Sequence, residues 1–254
     1  MRSMAAFIKK EFMEQIRTYK CFIMLAVFFL FGMMSPLMAK LLPKLLSGME
    51  MNGMVITLPE PTIFDAYGQF FKNINQMGMI ILLLIFGGIL SNELTKGTLI
   101  NILAKGLSRQ TVILSKFAAA VVLWTISFVL AALTNYVYSL YFFRDTKVEH
   151  LFLSLLCVWM FGILIISLIL LASSVTSGSF GGLILSAMVL IILISTAGFQ
   201  IVAEYHPIVL VTGNMGLIQG SVDPKEFIKP MWCTIIFTVG FLISAIKIFG
   251  KKKL

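Results

Sequence analysis

Residues 74–90 read INQMGMIILLLIFGGIL, residues 91–116 read SNELTKGTLINILAKGLSRQTVILSK, and residues 117–143 read FAAAVVLWTISFVLAALTNYVYSLYFF. Two runs without Asp, Glu, Lys or Arg thus flank an island holding four basic residues (Lys96, Lys105, Arg109, Lys116) and one acid, Glu93. Each flank approaches or exceeds the about 20 residues that cross a hydrocarbon core as a helix. The island reads as a short helix of its own over 98–105. Thr98 can cap its start, Leu99, Ile102 and Leu103 share one face, Lys105 sits in the last turn, and Gly106 lies where helices often stop. A compact, basic, amphipathic helix between two spans is shaped to receive a push from a soluble partner.

The rest of the chain repeats the flanking pattern. Of its 254 residues 59% are hydrophobic and 12% charged, against roughly a quarter charged in globular domains. Six charge-free runs qualify as spans: 21–39, 74–92, 117–143, 151–173, 180–203 and 231–246, the last helix being carried to 250. The fold class expected is an all-α membrane protein, one membrane domain over 1–254 with six transmembrane helices.

Charge distribution gives the orientation. With six spans, one side holds residues 1–20, 91–116, 174–179 and the tail from Lys247, with thirteen Lys/Arg and three acids. The other holds 40–73, 144–150 and 204–230, with seven Lys/Arg and eight acids. The whole +9 excess belongs to the first side. Positive loops stay cytoplasmic, so both termini and the 91–116 island are expected inside a plasma membrane. Anionic headgroups account for the basic balance without nucleic acid.

Residues 1–20 read as an amphipathic interfacial helix. Met4, Phe7, Ile8, Phe12, Gln15 and Ile16 approximate one stripe, with Lys9, Lys10, Glu14 and Arg17 elsewhere. A cleaved signal peptide fits worse, because the basic segment contains Glu11 and Glu14 and Leu37-Met38-Ala39 is a poor cleavage site. Segment 40–73, with Pro43, Pro59 and Pro61, reads as an irregular cap with one or two short helices. In 204–230 the apolar stretch Tyr205 to Gln219 is broken by Pro207, Gly213 and Gly216, which suits either two half-helices or an ordinary loop. Asp223-Pro224-Lys225-Glu226 then reads as a helix start.

Small residues mark a packing stripe. Ser174, Gly178, Gly182 and Ser186 fall four apart, with Ser173, Ser177 and Gly181 beside them. Such rows let helix backbones approach closely, either between two copies or against the fourth span.

Catalytic patterns are missing from the sequence. There is no GxxxxGK[ST] and no HExxH, the two histidines (His150, His206) fall in outer segments, and Cys21, Cys157 and Cys233 lack metal spacing. Gly178-Ser179-Phe180-Gly181 resembles a serine turn, but no intramembrane histidine is there to serve as base. No metal or cofactor is expected on this chain. Spans without ionisable groups also argue against ion-coupled transport and ion channels, so uphill movement needs outside energy.

The run Glu93-x-x-x-Gly97-Thr98-Leu99, then Leu103-Ala104, Leu107-Ser108-Arg109 and Ile113-Leu114-x-Lys116 resembles the cytoplasmic loop of ABC-2 type transporter permeases. Many relatives place a proline just before that serine; here Lys105-Gly106 precede Leu107-Ser108. The resemblance implies a six-span permease subunit of an ABC exporter, paired with a second, identical or homologous, permease. It implies two separate cytoplasmic ATPase subunits that carry the ATP and magnesium, so the chain itself is not an enzyme. The helix at 98–105 becomes a coupling helix and the N-terminal helix a second contact. Glu93, Gly97, Thr98, Leu99, Ile102, Leu103, Lys105, Leu107, Ser108 and Arg109 become the ATPase-coupling residues. Leu99, Ile102, Leu103 and Leu107 are then anchors buried in the partner and Lys96, Lys105 and Arg109 the rim. Glu93 pairs with Arg109 or Lys116. Charge-free walls favour a lipophilic or amphipathic cargo such as an antimicrobial peptide or drug. The alternative is a membrane immunity, sensor or assembly subunit that transports nothing.

Overall fold

The computed structural model describes residues 2–47, 60–104, 106–143, 147–176, 178, 180–197 and 204–252. They form helices α1 (Arg2–Arg17), α2 (Lys20–Ser47), α3 (Ile63–Asn73), α4 (Met79–Phe86), α5 (Ser91–Thr95), α6 (Thr98–Ala104), α7 (Arg109–Phe142), α8 (Leu151–Val175), α9 (Gly181–Thr196), α10 (Val209–Thr212), α11 (Asn214–Ile218) and α12 (Ile228–Lys251). No strand occurs among the described residues.

Five stretches are long and apolar enough to span: Lys20–Pro43, Ile63–Thr95, Arg109–Phe142, Leu151–Val175 and Pro224–Lys251. The sixth expected span is represented by α9, 16 residues long. At about 1.5 Å per residue that helix falls short of the ~30 Å hydrocarbon core. The remainder of 180–203 lies largely outside the described residues.

The second span begins eleven residues earlier than its apolar run, because the helix Ile63–Asn73, in the segment expected to hold one or two short helices, continues into it. Thr62 and Asp65 form a capping box at its start, with the Thr62 N–H donating to Asp65 Oδ2 at 2.7 Å. The apolar face (Ile63, Ala66, Tyr67, Phe70, Phe71) is buried, so period 3.6 operates there without an unbroken apolar run. One wide turn, Ile74–Gly78, joins α3 to α4 as a π-helix. There the Asn75 amide donates to Val211 O at 2.7 Å and ties the span to α10.

Aromatic packing fills the centre. Trp124 is fully buried, with ring centroids 5.5 Å from Phe28 and 5.2 Å from Phe128. A Cβ on Gly162 would lie 2.3 Å from its ring, so glycine is what lets α8 approach. Its indole N–H donates to Trp159 O at 3.1 Å, and Trp159 donates to Thr125 Oγ1 at 2.9 Å, so neither ring buries an unpaired donor. Gly32 brings α2 equally close to α7, since a Cβ there would lie 2.4 Å from Ala131 O.

The small-residue row does not lie on one helix. α8 ends at Val175 and α9 starts at Gly181, so a turn interrupts the stripe. Gly182 nonetheless makes a close crossing: its Cβ would lie 2.3 Å from Ser173 Oγ and 2.5 Å from Gly87 O. Ser173 itself donates to Gly87 O at 3.1 Å. The contact joins the end of α4, the end of α8 and the start of α9 within one chain. Ser174 and Ser186 are buried, each hydroxyl bonding a carbonyl one turn back, while a Cβ on Gly178 would meet open space. Ser177 and Ser179 lie outside the described residues.

Contacts sort the connecting segments into two ends, as the alternation of spans requires. At one, Lys40 donates to Phe142 O (3.1 Å), the Glu149 N–H to Ile218 O (3.2 Å), and Asn214 to Ser154 O (3.1 Å). There α10 and α11 pack on the first half of α8, with Leu210, Leu217, Phe227 and Cys157 buried together. Asp223 caps the entry to α12 by accepting from the Lys225 N–H at 2.9 Å, and a 3₁₀ turn, Pro224–Phe227, leads into the helix.

Candidate functional site: a charged clasp and a short helix at one end

The opposite end collects α1, α5, α6, the start of α7 and the end of α12. α6 forms where the sequence places it, but its boundaries are set by glycine. Gly97 (φ +68°) precedes it and Gly106 (φ +88°) follows it, both in the left-handed region where L side chains are strained. Thr98 is the first helical residue rather than the cap, and its hydroxyl donates to Glu93 O at 3.3 Å. Ser108 caps α7 by accepting from the Thr111 N–H at 3.2 Å.

The apolar face of α6 turns into its own chain. Leu99 is 0% exposed, and Leu103 and Leu107 pack against the same core. Leu99 is therefore no free anchor for a partner: the bundle buries it first. Among the described residues from Lys96 to Gln110, those exposed are Lys96, Thr98, Ala104, Gly106, Ser108 and Gln110. The side chain of Ile102 and all of Lys105 lie outside the described residues.

Beneath α6 lies a cluster of buried charge. Lys116 is 1% exposed, Glu11 3% and Glu93 8%. The Lys116 ammonium sits 2.9 Å from Glu11 Oε2 and 2.9 Å from Glu93 Oε2. Lys10 adds contacts to Glu93 (2.9 Å), Glu14 (2.7 Å) and Glu11 (3.1 Å). Burial works to lower the Lys10 pKa, but hydrogen bonds to Glu14 and Glu93 outweigh it and hold the ammonium above its usual range. The Glu11, Glu14 and Glu93 carboxylates converge within 4.8 Å, yet Lys10 and Lys116 lie between them. Two ammonium groups already supply the counter-charge that a metal ion would bring.

Glu93 thus pairs with Lys116, one of its two expected partners. Arg109, the other, reaches the end of α12, donating to Phe249 O (2.7 Å), Gly250 O (3.2 Å) and Lys252 O (2.6 Å). Those carbonyls lie at a helix C-terminus, where a guanidinium suits them by charge and donor number. Lys252 in turn donates to Ser174 O at 3.1 Å, and its partial burial lowers its pKa.

The sequence implies the Glu93–Lys116 half of the clasp but not its α1 half, because hydrophobicity alone does not orient Lys10, Glu11 and Glu14 toward the bundle. The buried residues of α1 are Phe7, Glu11 and Gln15, one turn apart, while Ile16, on the stripe expected to lie in the headgroup plane, is 62% exposed. An acid on the stripe of an interfacial helix, with a lysine heading a span, was the available signal.

Between α1, the first residue of α2, α5 and Lys116 lies a cleft of about 420 Å³, lined by the clasp together with Thr18, Lys20, Asn92, Lys96 and Thr98. A second groove of about 460 Å³, between α3, α7 and α8, is lined almost wholly by apolar side chains, among them Tyr67, Phe70, Phe128 and Trp159.

Among known proteins, the sequence model of the family described as ABC-2 family transporter protein matches residues 5–231, from α1 into α12. No curated protein and no solved structure matches the chain. That match covers most of the chain, including all five span-length helices in whole or part, the α5–α6 hairpin and the clasp. The chain is a multi-pass membrane protein of the ABC-2 transporter family.

Proposed function

We propose that this chain is the permease subunit of an ATP-driven exporter, taking its energy from separate ATP-hydrolysing subunits that dock on the clasp end. ABC-2 family membrane proteins work with ABC ATPases, which supports a partner of that kind. One observation carries the reading: α6 is anchored through its apolar face and joined by Glu93–Lys116–Glu11 to α1 and α7. A push on α6 is then delivered to the ends of two spans and to the interfacial helix rather than absorbed by a loop. The docking surface in this reading is the outward side of the hairpin, Lys96, Thr98, Ala104, Gly106 and Ser108, with the exposed side of α1 as a second contact. Leu99, Leu103 and Leu107 hold the handle to the bundle and do not enter the partner.

The clasp end is cytoplasmic in this proposal, because it carries the basic excess, and both termini lie there in a plasma membrane. Two permease copies and two ATPases with their ATP and magnesium complete the transporter. The apolar groove between α3, α7 and α8 suits lipophilic or amphipathic cargo. A single cysteine placed at Ala104, in a chain whose own three cysteines are replaced, tests the arrangement. It is expected to crosslink to a co-purifying ATP-binding subunit and to resist impermeant thiol reagents on intact cells. Labelling from outside, or co-purification of the ATPase with no crosslink from this face, overturns it.

A further inference from the structure

Lys20 and Lys96 are the two cations of the clasp cleft that the clasp does not use. Among the described residues neither ammonium makes a hydrogen bond or an ion pair, whereas Lys10 and Lys116 bind all three carboxylates there. Lys20 is only partly exposed, so its ammonium has lost some of its hydration, and the acids near it, Glu14, Glu11 and Glu93, are already bound by Lys10 and Lys116. With Glu11, Glu14 and Glu93 already paired, the unmatched charge at the mouth of the cleft is positive. Asn92 and Thr98 add polar groups beside it.

The surroundings specify an anion of a particular build. Lys20 follows Tyr19, whose φ of 60° is unusual for a bulky L residue and makes the elbow where α1 leaves the surface and α2 turns in. Around that elbow, Ile16, Tyr19, Phe22 and Ile23 are all exposed, Phe22 at 70%. Charge-free sequence begins immediately after Lys20. A cationic cleft sits beside an apolar surface at the level where headgroups meet acyl chains, which suits one amphipathic molecule better than a free ion.

We propose that this cleft holds the phosphate of an anionic phospholipid from the adjoining leaflet, with Lys20 and Lys96 as its cationic contacts and the acyl chains lying against Phe22 and Ile23. The lipid supplies the counter-charge that the cleft lacks and braces the α1–α2 elbow against α5.

Native mass spectrometry of the full chain, released from nanodiscs of phosphatidylcholine and phosphatidylglycerol, tests the site. The wild-type chain is expected to retain one phosphatidylglycerol preferentially. Lys96→Gln, at an exposed position that folding does not need, is expected to cut that retention about fivefold, the factor matching the ~1 kcal/mol of one interfacial cation. Lys20→Gln is expected to act in the same direction, with its thermal unfolding recorded alongside to show that the chain still folds. Lys9→Gln, on the exposed face of α1, serves as the control and is expected to change nothing. Equal loss in Lys9→Gln reduces the effect to diffuse basic attraction and overturns the site. Undiminished retention in Lys96→Gln overturns it as well. Displacement of the lipid by inorganic phosphate alone makes the ligand a free anion and overturns the lipid assignment.

Discussion

The Lys116 ammonium lies 2.9 Å from Glu93 Oε2, and the two residues stand on opposite sides of α6 in the chain. This ion pair closes the base of the hairpin. α6 is therefore a handle fixed at both ends, and Glu11 of α1 completes the closure from below. Buried ion pairs of this sort add little net stability but are costly to break on one side.

Lys116→Met leaves the buried Glu11 and Glu93 with Lys10, itself shared with Glu14, as their remaining paired cation among the described residues. The expected cost is about 3–5 kcal/mol, read as a lowered unfolding temperature of the purified chain. Adding Glu11→Gln to that variant is expected to restore part of the loss, because one of the three carboxylates then competing for Lys10 is removed. Equal stability of Lys116→Met and wild type would mean that water already screens the cluster.

Two glycines separate close approach from simple flexibility. A Cβ on Gly162 would lie 2.3 Å from Trp124, whereas one on Gly240 would have nothing within 4 Å. Gly162→Ala is expected to displace a fully buried indole, at a cost of about 1–3 kcal/mol. Gly240→Ala, inside α12, is expected to be neutral or stabilising by up to ~1 kcal/mol through helix propensity. Thermal unfolding of the two variants side by side reads both, and a reversed order would refute the packing of α8 on α7.

His206 gives the opposite end a pH response. Its Nδ1 accepts from the Ile208 N–H at 3.1 Å, so in the neutral ring the proton is on Nε2, 3.1 Å from Thr196 Oγ1. Burial lowers the His206 pKa below the usual imidazole value, and protonation would also remove the Nδ1 acceptor. A depressed pKa means that the unfolded chain binds the proton first. The stabilisation is therefore complete above about pH 6.5 and is lost as pH falls through the folded-state value. Unfolding temperature against pH is expected to drop on the acid side in wild type and to flatten there in His206→Gln.

Periodicity and charge carried most of the architecture in plain view. Five of the six charge-free runs became long helices, and Gly106 ended α6 where its position implied. Other features depend on partners far away in the chain. Nothing local says that Glu11 rather than Ile16 faces inward, because the choice is made by Lys116 on α7. The row Ser174, Gly178, Gly182, Ser186 runs across the connecting segment expected at 174–179, and what spacing alone does not say is that Gly182 then packs against Ser173 and Gly87. The amphipathic face of α6 was legible, but not its destination. A stripe of Leu99 and Leu103 fits a partner's cleft as well as its own core, and only packing distinguishes them.

That distinction yields the last prediction. If the apolar stripe of α6 is structural and its outer side is the docking surface, one acid at each place should fail in different ways. Leu99→Asp puts a carboxylate where no part of the side chain reaches solvent, which costs several kcal/mol unless the group takes up a proton. The expected outcome is a chain with lowered unfolding temperature, whatever its partner does. Ala104→Asp sits at an exposed position and is expected to leave the unfolding temperature within about 0.5 kcal/mol of wild type. Its effect should fall on the partner: weaker co-purification of the ATP-binding subunit and loss of stimulated ATP hydrolysis. Should Ala104→Asp bind and stimulate the ATPase normally while Leu99→Asp folds normally and loses binding, the leucine stripe is the docking face after all. The α6 helix would then have to swing away from the bundle to be used.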